Sequence, residues 1–193
     1  MRIITKLLLS ILFILQAIVL PAQKSYTLTA NITAEGTSNT HDWTVKSENV
    51  QGSFILNTNK EIESLNVKIS VESLKSILDS KFERKQMENL VLKAFNSDKN
   101  PMITFQLSDI SVPAVTSVSA SVTLNGSLTM AGVTKKVSFK AEGRPYGSGG
   151  YRFSANIPLK FTDYGMKPPV ALLIMKVKDP LTVKLDVIVP NVN

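Results

Sequence analysis

The only histidine of the chain, His41, stands in the stretch GTSNTHDWTV, beside Asp42 and two residues ahead of the only tryptophan, Trp43. An imidazole held by a carboxylate is the usual frame of a general base. Here the two side chains are neighbours in sequence, and on an extended strand neighbours point to opposite faces. They cannot then serve as base and orienting acid. No nucleophile elbow or phosphate loop occurs elsewhere. The expectation is therefore structural. His41 and Asp42 tie down the loop before a strand, and Trp43, on the same side as His41, closes a barrel or packs under a helix. Asp109, Asp163 and Asp179 fall near strand ends, where turn and cap hydrogen bonds account for them. No catalytic residue is assigned, and an enzyme is not expected.

Composition narrows the chemistry further. The 193 residues contain no cysteine. That removes disulfides, thiol catalysis and attachment of lipid to an N-terminal cysteine. With one histidine and no cysteine, the usual zinc site cannot be assembled within one chain, and no calcium loop is present. No metal and no cofactor are expected. The formal charge is +7, but the lysines are scattered, and the longest basic run is a pair such as Lys135-Lys136. A nucleic-acid binder would show a stripe or patch, so no nucleic acid is expected as partner.

At the N-terminus, Arg2 and Lys6 precede an apolar run from Leu7 to Leu20, followed by Pro21-Ala22-Gln23. This is the layout of a secretory signal peptide and is short for a membrane span. The expectation is a signal over residues 1–22, a mature domain over 23–193, no stable membrane anchor after cleavage, and a periplasmic or secreted protein. Oligomeric state is not legible.

The elements that must carry any site are mostly strands. Val122, Leu124, Leu128 and Met130 alternate with Thr123, Asn125, Ser127 and Thr129, the period of a half-buried strand. Gly126 falls on the apolar face, where it leaves room. Leu65–Val71, Tyr151–Phe161 and Leu181–Val189 alternate likewise, and shorter runs bring the count to eight or nine. One stretch breaks the pattern. From Ser80 to Asn96, Met87, Leu90, Val91, Ala94 and Phe95 recur at helical spacing, so one apolar stripe must lie on something. These features predict an all-β fold: an antiparallel, lipocalin-like barrel of about eight strands with one helix packed on it.

Taken together and in order, four stretches resemble the YceI-like, lipid/polyisoprenoid-binding family: GTSNTHDWTV (36–45), MENLVLKAFNSDKNPMITFQL (87–107), LNGSLTMAGVTKKVSF (124–139) and LKFTDYGMKPP (159–169). The resemblance covers nearly all of the chain after residue 22 and is to the branch with a His-Asp-Trp triplet. It implies a lipocalin-like barrel that holds a long isoprenoid chain, with a lipid as partner.

Inner-face positions look alike whether a barrel is filled or hollow. Trp43, Phe54, Phe105, Leu124, Gly126, Met130, Phe139, Phe153 and Phe161 are core under either reading. The resemblance makes them candidate ligand-binding residues that line a tunnel for an isoprenoid lipid or quinone. A polar head would then sit near Lys135, Lys160 or Lys167. Two alternatives remain: a filled barrel that works through its surface, and an enzyme acting on such a lipid. The run Val170–Met175 is apolar throughout. Burial is the expectation for it, and an apolar lip at the tunnel mouth is the alternative.

Overall fold

A computed structural model describes residues 25–57, 61–115, 119–171 and 174–189. Its strands are β1 (Ser25–Ser38), β2 (Asp42–Ser47), β3 (Val50–Leu56), β4 (Ile62–Ser70), β5 (Lys75–Ser76), β6 (Met102–Val115), β7 (Ala120–Met130), β8 (Val133–Tyr146), β9 (Gly150–Lys160), β10 (Val170–Ala171) and β11 (Met175–Val189). All pair antiparallel. Eight of them, in the order β1-β3-β4-β6-β7-β8-β9-β11, form a ring that the β11–β1 pairing closes. Closure leaves no free sheet edge around the ring.

The remaining strands extend this ring at one end. β2 and β3 follow one another along β1: Ile32 faces Ser47 and Leu28 faces Gly52, so one extra residue is accommodated between them. Such a bulge bends the path. β5 pairs with β2 beyond a single 3-10 turn at Val71–Ser73, and β10 pairs with the start of β11.

The helix α1 (Lys81–Phe95) lies between β5 and β6 in sequence. Ser80 caps it, its hydroxyl accepting from the Glu83 amide, in the Ser-x-x-Glu pattern that satisfies a helix start. Asn96, in the left-handed region with φ 49°, ends it, a conformation asparagine tolerates better than most residues. Met87 and Phe95 are buried, and the helix packs against β5, the 3-10 turn and β10.

The antiparallel order places α1, the β1–β2 turn, the β7–β8 turn and the β9–β11 link at the same end of the barrel. Asn39 binds this end together: its side chain donates to the Ile174 carbonyl and accepts from the Lys176 amide. The β8–β9 turn lies at the opposite end. The interior divides the same way. One buried cluster, with Trp43, Ile69, Met87, Phe95, Met130 and Phe161 among its members, sits under α1. A second, built on Val122, Leu124, Ala141 and Ala155, fills the other half.

Candidate functional site: an apolar cavity under the helix

Beneath α1 the barrel encloses a cavity of about 160 Å³. The helix supplies Met87, Leu90, Val91, Ala94 and Phe95 as its roof, the residues whose spacing marks the apolar stripe. Phe105 and Phe139, with ring centroids 5.6 Å apart, lie where this cavity meets the second cluster and form its floor.

Of the nine candidate residues, Trp43, Phe105, Met130, Phe139 and Phe161 line the cavity. The other four do not. Leu124 belongs to the second cluster, and Phe153 packs against it. Phe54 is buried and stacks on Tyr26 at 5.2 Å, on the part of β3 away from the helix. Gly126 does face inward, but the room it leaves is taken. A Cβ there would stand 2.5 Å from the Phe105 ring and from the Gln106 carbonyl oxygen. The missing side chain serves a close approach of Phe105, not a passage along the axis.

Trp43 is held from two sides. Its ring lies over Gly36, its partner across the β1–β2 pairing, where a Cβ would come within 2.3 Å. Its face packs on Phe161 at 6.1 Å, and its indole N–H donates to the Thr37 carbonyl at 3.3 Å. The neighbouring histidine, His41, is exposed in the turn, one residue before the strand begins at Asp42. Its Nδ1 lies 2.7 Å from the Asp42 carbonyl. The turn is held by Ser38, whose hydroxyl accepts from the Thr40 and His41 amides and donates to the His41 carbonyl.

Sequence patterning missed Ala34, Leu74, Met166, Pro169 and Val177 as lining residues. Ala34 is small and gives no hydrophobic signal. Met166 and Pro169 come from the irregular β9–β11 link, where there is no period to read. The run Val170–Met175 departs from expected burial at the two positions that settle it: Val170 and Ile174 are exposed. Leu172 and Leu173 lie outside the described residues.

Every lining residue is apolar, and the one side-chain nitrogen or oxygen among them, the indole nitrogen, is already bonded. Tyr164 is the one buried titratable side chain among the described residues, and it does not line the cavity. Burial, and secondarily the charge of Asp163, hold its hydroxyl above the ordinary value, so it stays neutral. The cavity therefore offers van der Waals contact and exclusion of water, with no side chain placed to transfer a proton or bind an ion.

A closed antiparallel barrel of eight strands with an apolar interior cavity at one end is wide enough to hold one small ligand. The YceI-like domain model matches residues 21–189, and the chain belongs to that family. Similar solved structures include BcnA of Burkholderia cenocepacia (17% identity, TM-score 0.65, covering 83% of this chain and 96% of that one). A polyisoprenoid binding domain from Saccharophagus degradans aligns at 12% identity and TM-score 0.61, covering 85% and 98%. The Campylobacter jejuni YceI protein aligns at 19% identity and TM-score 0.55, covering 74% and 81%. At such identities the likeness is one of fold. No curated protein matches the chain.

Proposed function

We propose that this protein is exported to the periplasm or beyond and binds the hydrocarbon part of an isoprenoid lipid in the cavity under α1. The observation that carries this reading is the wholly apolar lining. Such a wall rewards burial of hydrocarbon by about 25 cal/mol per Å² before ordering costs. It penalises a quinone ring, because each carbonyl left without a donor costs about 1–3 kcal/mol. A head group therefore stays outside, near Lys160 or Lys167. Membership in the YceI-like family and the fold shared with a polyisoprenoid binding domain support the same ligand class.

Size adds a condition. An apolar cavity of about 150 Å³ takes a molecule such as benzene, so 160 Å³ fits one ring or a short branched segment. A chain of many isoprene units enters only if α1 shifts outward. The only ion pair joining the helix to the barrel among the described residues is Lys75–Glu88, long at 3.8 Å, with Lys75 exposed and Glu88 half-buried, which opposes such a shift weakly.

Native mass spectrometry of freshly purified protein, with extraction and identification of any retained lipid, tests the proposal. An isoprenoid lipid bound in one-to-one ratio is the expected result. Failure to retain or take up any isoprenoid, with a cavity-filling variant behaving identically to the parent, overturns it.

A further inference from the structure

Among the described residues, five large apolar side chains are exposed, and four of them lie on α1 or on the segments beside it. Ile77 lies on the link from β5 to α1, and Phe82, 66% exposed, on the first turn of α1. Val170 is in β10, and Ile174, 69% exposed, is in the turn that follows it. α1 packs against both β5 and β10, which makes these segments neighbours. The fifth, Tyr146, is at the far end, beside the β8–β9 turn. Exposed lysines flank the residues at the α1 end: Lys81 and Lys85 beside Phe82, Lys167 and Lys176 beside Val170 and Ile174. None of the four lysines makes an ion pair among the described residues. Arg84 spends its guanidinium on the Leu78 and Asp79 carbonyls. Asp79 and Glu83 offset part of the charge, but on shorter stems than the lysines.

We propose that the α1 end of the barrel is a docking face for a membrane surface containing anionic phospholipid, with Phe82, Val170, Ile174 and Ile77 entering the acyl boundary and the four lysines reaching the phosphates. Apolar tips ringed by long cationic side chains are the composition of interfacial anchors. The inference rests on the lipid-binding reading for its purpose. Each methylene of a ligand exposed to water lowers its partition by about fourfold, so a carrier whose roof meets the bilayer lets a chain pass without crossing water. A second copy of the chain is the less suitable occupant. An isologous contact through this face brings the same four lysines together from both sides.

The chain has no cysteine, so single cysteines report position cleanly. Ile174→Cys and Tyr146→Cys variants of the full chain, each carrying an environment-sensitive fluorophore, are mixed with phosphatidylcholine vesicles or with vesicles about one third phosphatidylglycerol. The expected result is a blue shift at position 174 with the anionic vesicles and none at 146. Phe82→Ser with Ile174→Ser should lower vesicle co-flotation on the order of tenfold or more. Lys81→Glu with Lys85→Glu should lower it by a similar factor on anionic vesicles only. Unchanged thermal unfolding keeps misfolding from imitating these losses, since all four positions are exposed. A shift at 146, no shift at either site, or a shift at 174 that follows protein concentration without vesicles overturns the proposal, the last by showing a second copy on the face. Docking with no lipid retained in the cavity would refute the carrier reading and leave the docking face standing, so the two failures are distinguishable.

Discussion

Trp43 and Ser38 carry more of the structure than the histidine between them. His41 is exposed, and its ring reaches only a neighbouring carbonyl. His41→Ala should change unfolding free energy by less than about 0.5 kcal/mol, as surface substitutions do. Ser38→Ala should cost about 1–3 kcal/mol, because the Thr40 and His41 amides lose their shared acceptor. Urea unfolding of the two variants checks the order, and a larger loss at His41 would reverse the reading of this turn. The strand glycines are the other residue-scale feature. At Gly36 the nearest atoms an added Cβ would meet belong to the Trp43 ring, so Gly36→Ala should push the indole toward the cavity and cost about 1–3 kcal/mol. Because Trp43 is the only tryptophan, its emission reports the displacement directly. The sequence does not single out Gly36. It marks Gly126 as a place that leaves room, but it does not say what fills that room. That depends on which strands are neighbours and in which register.

At the scale of elements, the helix was legible almost to the residue. Its stripe, its Ser-x-x-Glu start and its Asn96 end are local signals, and local signals survive without knowledge of the fold. Phe95→Ala should cost about 3–5 kcal/mol, since the ring is buried against the barrel. Leu90→Ala should cost less, because Leu90 is only half-buried. Denaturant midpoints for the pair check this. The β9–β11 link was not legible. It is held by Asp179, which accepts from the Thr162 hydroxyl and amide. These bonds, the hydroxyl first, hold the Asp179 carboxyl below its ordinary value of 3.8. Asp186 is lowered in the same direction by Arg152. A carboxyl depressed by folding stabilises the native state above its unfolded value, and that contribution fades as pH falls through the folded one. Thermal midpoints should therefore drop below about pH 4, and Asp179→Asn should show a shallower acid limb than the parent. Parallel acid limbs would mean that the link is held by something else.

Across the whole molecule, alternation in eight strands identifies a closed barrel, but it cannot say where a barrel is hollow. Trp43 and Phe54 look equivalent in sequence, each an aromatic on an inner face. One lines the cavity, and the other stacks on Tyr26 in the filled half. The difference arises because α1 covers one end and holds its stripe above the opening, leaving space that the side chains of that end do not reach. Filling that space is the direct test of what it is for. Ala34 is suited to it: it lines the cavity from β1 and lies two residues from Gly36, where the neighbouring strand needs the room. Ala34→Leu adds three carbon atoms to a volume of about 160 Å³. If the cavity remains as wide in solution, the new side chain is buried without crowding, and stability should rise by about 1–2 kcal/mol. The same substitution should reduce or abolish lipid retention in native mass spectra. A fall in stability would show that the wall has no room for added volume. A rise in stability with undiminished lipid would place the lipid somewhere other than under α1.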